Sequence, residues 1–210
     1  MTNKYDGLIF DLDGTLWDST SSVAKAWQTA KEKVGYVKEN VTQADVRAIA
    51  GMAYDAIYEK LFPSLDEEQR KAFMEVSGKE ELEHMYAYGG VLYDELESTL
   101  QYLQTKYRLF IVSNCQSGYI EAFLKFHNME KYFEDHQCFG TKNRPKDENI
   151  RDVVERNDLK SPVYIGDTLG DYKASVGAKV PFIFAAYGFG KVESGQVATI
   201  EKFSDLKNIL

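Results

Sequence analysis

Four short runs of the chain are apolar nearly throughout: residues 7–12, broken by Asp11, 109–113, 163–166 and 180–185. Each is too short for a helix, and none alternates polar with apolar, so each predicts a strand covered on both faces. Helical spacing fills the intervals between the last three. Leu96, Leu100 and Leu103 precede the second run, Ile120, Phe123, Leu124 and Phe126 follow it, and Ile150, Val153 and Val154 precede the third. Alternation of this kind predicts an α/β fold, a Rossmann-like core built on a parallel sheet.

The stretch from Trp17 to Ala87 follows a different rule. Val23, Ala26, Trp27, Ala30 and Val34 form a helical stripe, and Thr42-x-x-Asp45 and Ser64-x-x-Glu67 read as capping boxes that open two further helices. No strand is expected here. About 70 helical residues are too many for an ordinary crossover. The organisation predicted is therefore a discontinuous core over residues 1–16 and 88–210 with an all-helical cap domain inserted over 17–87. Hinges are expected near Ser19 and Gly89-Gly90.

Composition narrows the function. The chain has 210 residues, 25 Lys+Arg against 33 Asp+Glu, and a formal net charge of −8. That balance argues against nucleic acid, whose ligands need a basic surface. No apolar run approaches a membrane span, no signal peptide is recognised at the start, and a cytoplasmic enzyme is expected. The two cysteines form no disulfide framework, and His84, His127 and His136 lack metal-ligand spacing.

The candidate chemistry lies at the strand ends. The first strand runs into Asp11-Leu12-Asp13-Gly14-Thr15-Leu16, and the third into Gly166-Asp167-Thr168-Leu169-Gly170-Asp171. Ligands of parallel sheets bind outside the carboxyl ends of strands, so four carboxylates would share one crevice. Each like-charge pair costs about 4 kcal/mol at an effective dielectric near 20, and something must offset it. Hard carboxylate oxygens suit Mg²⁺. Ser113 and Asn114 end the second strand beside the same crevice, and Lys146 or Lys142 can supply a fixed positive charge. The acids an EF-hand needs after Asp13 are missing, as is the G-x-S-x-G elbow of a serine hydrolase.

These motifs, in this order, resemble the four motifs of the haloacid dehalogenase superfamily. The helical insertion resembles its cap, and Ala186-Tyr187-Gly188-Phe189-Gly190 is similar to members of its phosphoglycolate phosphatase-like branch. The resemblance implies an Mg²⁺-dependent phosphatase acting on a small phosphorylated metabolite through an aspartyl-phosphate. Asp11 would be the nucleophile and Asp13 the general acid/base. Asp11, Asp167, Asp171 and the carbonyl of Asp13 would hold the metal, with Asp171 ligating through water or holding the lysine. Gly14, Thr15, Ser113 and Asn114 would meet the phosphoryl group. Lys142-Asn-Arg-Pro145 matches the lysine motif of many relatives only at its ends, so Lys146, directly before a helix, is favoured over Lys142. Arg47, in a cap segment where relatives select substrate, is either a substrate ligand or a surface arginine. A phosphosugar mutase is the alternative reading, with a non-catalytic binding protein behind it; a dehalogenase would lack the second aspartate. The residues specify neither the substrate nor the oligomeric state.

Overall fold

The computed structural model describes residues 4–52 and 54–210. Residues 1–3, read above for a leader, and Ala53, within the helical stretch, lie outside the described residues. The chain runs β1 (Gly7–Phe10), β2 (Trp17–Asp18), α1 (Thr20–Val34), α2 (Gln43–Ala48), α3 (Tyr54–Leu61), α4 (Glu67–Tyr88), β3 (Val91–Leu92), α5 (Leu96–Leu103) and β4 (Arg108–Ser113). It continues through α6 (Tyr119–His127), β5 (Asp135–Cys138), α7 (Phe139–Lys142), α8 (Lys146–Arg156), β6 (Pro162–Gly166), α9 (Leu169–Ala178), β7 (Phe182–Ala185), β8 (Ala198–Ile200) and α10 (Leu206–Ile209).

Six strands form one parallel sheet in the order β5-β4-β1-β6-β7-β8. The central strands are apolar through their interiors because each face has its own core. Leu8, Phe10, Ile111 and Ile165 point into one, and Ile9, Phe110, Val112 and Tyr164 into the other. The chain leaves β1 toward β4 and β5 on one side and returns to β6 on the other. The carboxyl end of β1 is therefore the switch point of the sheet, where a crevice must open.

Between β2 and β3 lie four helices. Helix α1 packs along α4, and Trp27 stacks on Tyr58 at 5.2 Å between centroids, beside Phe62 and Phe73. The stripe expected for α1 is observed, with Val23, Ala26, Trp27 and Ala30 buried. The first capping box is also present: the Thr42 side chain accepts from Asp45 N–H, and the Asp45 side chain accepts from Thr42 N–H.

Three expectations need correction. Helix α4 is capped by Asp66 with Gln69, not by Ser64 with Glu67. Either start satisfies the sequence rule, and the chain takes the later one, where the reciprocal bonds close. Trp17–Asp18 is a strand, paired antiparallel with Val91–Leu92; two residues are too few to show a period. That ladder brings entry and exit of the helical segment side by side, and Ser22 Oγ donates to Gly89 O at 2.6 Å just beyond it. Finally, β5 and β8 extend the sheet through polar or small residues, Asp135-His136-Gln137-Cys138 and Ala198-Thr199-Ile200, which carry no apolar run.

Candidate active site

The chain leaves β1 at Asp11 and turns at once: Leu16 N–H donates to Leu12 O at 2.9 Å and Gly14 N–H to Trp17 O at 2.9 Å. The turn requires glycine at position 14. Its φ is +84°, and a Cβ there would sit 2.2 Å from Asp167 Oδ2. Position 188 is equally tight, since a Cβ would lie 2.3 Å from Asp167 Cβ. The two loops thus close on Asp167 with bare backbone.

Asp11, Asp167 and Asp171 are buried, and one carboxylate oxygen from each lies within 4.8 Å of the other two. Lys146, the first residue of α8, reaches into this cluster with its side chain 4% exposed. Its Nζ donates to Asp11 Oδ1 at 2.8 Å and to Asp171 Oδ1 at 2.6 Å. Lys142 stays outside, paired with Asp152 at 2.7 Å on the surface. Burial alone would lower the Lys146 ammonium, but the charges of Asp11 and Asp171 outweigh it and hold its pKa well above the ordinary lysine value.

The three carboxylates are not equivalent. Asp171 Oδ2 is spent on the start of α9, accepting from Thr168 N–H at 2.9 Å and Thr168 Oγ1 at 2.6 Å, while its Oδ1 holds Lys146. Asp167 accepts from Phe189 N–H at 2.7 Å and, more weakly, from Thr15 Oγ1 at 3.4 Å. Burial and the neighbouring charges of Asp171 and Asp11 push the Asp167 carboxyl well above the carboxylate range. Burial, then Asp171, pushes Asp11 to about 7 against the pull of Lys146. Three carboxylates against one ammonium leave two negative charges in excess when all are ionised, a deficit that one divalent cation fills. The donor set is oxygen only, which fits Mg²⁺.

Asp13 is not one of the three grouped carboxylates. Its Oδ1 accepts from Ser19 Oγ at 2.5 Å, Trp17 Nε1 at 2.9 Å and Tyr119 OH at 3.2 Å. Burial raises its carboxyl despite these donors. A cavity of about 90 Å³ opens beside it, between the strand ends and the helical segment, and Asp11, Asp13, Ser113, Asn114 and Lys146 all line it. Asn114 also spans the gap, its Nδ2 donating to Gly51 O at 3.1 Å.

Of the residues expected at the phosphoryl group or substrate, Ser113 and Asn114 line the cavity, and Gly14, Thr15 and Arg47 are not among its lining residues. Thr15 is fully buried with its hydroxyl on Asp167, behind the cavity wall. Arg47 pairs with Asp18 at 2.5 Å and lies over the Phe189 ring at 5.1 Å, on a separate shallow cleft. Sequence reasoning missed Ser19, Tyr119, Phe189 and Glu81, and read Trp27 as packing alone; all five line the cavity. Glu81 had a usable signal. Phe73, Ser77, Glu81 and Met85 recur every fourth residue and are all buried, although the surrounding Lys-Glu-Glu-Leu-Glu-His reads as a solvated face.

A family model described as haloacid dehalogenase-like hydrolase matches residues 8–185. The chain is 29% identical to a phosphoglycolate phosphatase of Aquifex aeolicus, over 97% of this chain and 95% of that protein. It is 25% identical to the pyrophosphatase PpaX of Listeria innocua, over 100% of this chain and 98% of that protein. In structure it is similar to a haloacid dehalogenase-like family hydrolase from Streptococcus pneumoniae, with a TM-score of 0.85, 17% identity and 98% of each chain covered. That likeness concerns the fold.

Proposed function

The chain belongs to the haloacid dehalogenase-like hydrolases, and on that premise we propose that it is an Mg²⁺-dependent phosphatase of small phosphomonoesters working through an aspartyl-phosphate. The observation that carries the reading is Asp11, buried at the end of β1, bonded to Lys146 at 2.8 Å and grouped with Asp167 and Asp171.

Asp11 presents a carboxylate oxygen to the phosphorus in line with the ester bond. As that O–P bond forms, the P–O bond to the alcohol breaks, and Asp13 gives its proton to the leaving oxygen. The raised Asp13 carboxyl suits it to carry that proton. Asp13 then takes a proton from water, whose oxygen displaces Asp11 from phosphorus and releases inorganic phosphate. The alcohol and phosphate account for the ester and one water. Lys146, Ser113 and Asn114 hold the phosphoryl oxygens as charge develops. Asp11 and Asp167 would hold Mg²⁺, with Asp171 orienting Lys146. When bound, the ion cancels the repulsion between carboxylate and phosphate and polarises the phosphoryl group. The helices over residues 17–87 act as a cap that closes the cavity about the β2–β3 ladder, keeping bulk water from the aspartyl-phosphate.

The test is phosphate release from an aryl phosphate. Turnover is expected with Mg²⁺, lost with EDTA, restored by excess Mg²⁺ and absent in Asp11→Asn. Full turnover by Asp11→Asn sinks the mechanism.

A further inference from the structure

The far wall of the cavity, supplied by the helical segment, has a chemistry that the reaction does not use. Resting on the phosphatase reading, we propose that the alcohol half of the substrate ends in a hydrogen-bond donor, a hydroxyl or an ammonium, and that Glu81 selects it while turning away a carboxylate-ended phosphomonoester.

Val23, Trp27, Val46, Ile49 and Ile57 give this wall its apolar surface, the Ser19 and Thr20 hydroxyls donate to Asp13 and Asp18, and Glu81 is the acid set into it. Glu81 is 5% exposed and is fixed by the register of α4. Its Oε2 accepts the indole N–H of Trp27 at 2.6 Å, and the Gln116 side chain, whose Nε2 donates to Gly78 O at 3.0 Å, also favours its charged form. No lysine or arginine among the described residues is paired with it. The contrast with its neighbour in sequence is plain, since Glu80 points the other way and pairs with Lys33.

The cation inventory of the cavity points the same way. Lys146 is the cation among the lining residues, and it is held between Asp11 and Asp171. Arg47 is turned to Asp18, outside the lining. A carboxylate on the alcohol half would enter an apolar wall without a counter-charge and face Glu81, which combines an unpaired buried charge with like-charge repulsion. A hydroxyl or ammonium finds an acceptor there, and an ammonium also finds the Trp27 ring. Burial raises the Glu81 carboxyl to about 7, so at pH 8 it stands as an acceptor.

Three esters matched in length test this: 2-hydroxyethyl phosphate, 2-aminoethyl phosphate and 2-phosphoglycolate. At pH 8 with Mg²⁺, the first two are expected to exceed the third in kcat/KM by about 100-fold. Glu81→Gln narrows that ratio by about 10-fold or more, mainly through KM. Wild-type enzyme that turns over 2-phosphoglycolate as well as 2-hydroxyethyl phosphate overturns the inference, as does an unchanged ratio in folded Glu81→Gln. Should that variant not fold, the wild-type ranking alone decides. An aryl phosphate separates the two levels. Aryl turnover with a flat ranking removes only the selectivity, whereas no turnover of any ester removes the phosphatase reading and the inference together.

Discussion

The two walls of the cavity are both buried and both acidic, yet they handle charge in opposite ways. At the strand ends, Asp11, Asp167 and Asp171 each meet a designated partner: the Lys146 ammonium, the Phe189 amide or the α9 cap. On the helical wall, Glu81 accepts from the neutral Trp27 indole, and no lysine or arginine among the described residues is paired with it. The first arrangement gathers three carboxylates around one ammonium and leaves an excess of negative charge for a divalent ion to offset. The second sets a single carboxyl, with no cation paired to it among the described residues, into the helical wall, the requirement for reading what arrives. One wall sets the reaction, and the other sets the alcohol.

Substitutions can break this division. The largest effect is expected from Asp11→Asn, which should lower kcat on an aryl phosphate by about 10⁵-fold or more, the scale of a lost covalent nucleophile. Single-turnover phosphate release checks it. Asp13→Asn should follow with about 10²–10⁴-fold, the range of a general acid/base, and the loss should shrink for aryl leaving groups that need no proton. A uniform loss across leaving groups would remove Asp13 from that role.

The two lysines come next. Lys146→Ala is expected to lower kcat by about 10²–10³-fold, because a fixed charge at the phosphoryl site disappears. Lys142→Ala, whose partner is surface Asp152, should change it less than about 2-fold. The reverse ranking would move the site from one end of the α7–α8 connection to the other.

The smallest effect falls on stability and separates the walls by pH. Glu81 has an ordinary value of 4.5 and about 7 in the fold, so the native state binds its proton more tightly than the unfolded chain. Its contribution is therefore full below pH 4.5 and lost as pH rises to about 7, a cost of about 3 kcal/mol by pH 8. Glu81→Gln has no such proton. Urea unfolding should find the variant gaining on wild type by about 3 kcal/mol between pH 4 and pH 8. Parallel pH profiles would mean that Glu81 is solvated in the folded state.

Much of the molecule was legible before its structure. Runs buried on both faces announce themselves by being apolar nearly throughout, so β1, β4, β6 and β7 stand out, and helix stripes such as that of α1 repeat often enough to be read. Strands β5 and β8 escaped because an edge or near-edge strand need not be apolar, and β2 and β3 because two residues have no period. The carboxylates were legible since motif spacing ties them to strand ends, while Lys146 was favoured over Lys142 only as the residue that opens a helix. That Thr15 turns to Asp167 and Arg47 to Asp18 was not legible, because spacing says which residues are near a turn, not which way each side chain points.

By itself, the sequence determined the α/β core, the helical insertion and the acidic residues at the ends of β1 and β6. Those follow from local periodicity and from chain order, which survive without coordinates. Only the tertiary structure decided that Lys146 and not Lys142 joins the carboxylates, that Asp171 is committed to a helix cap and that Arg47 is neutralised by Asp18. It also decided that Glu81 faces the cavity while Glu80 faces Lys33. The physical reason is common to all four. Each is a choice among partners for a charge, and the partners lie between 25 and 135 residues apart at Lys146 alone. Such choices are settled by which groups the packed helices and strands bring within hydrogen-bond reach.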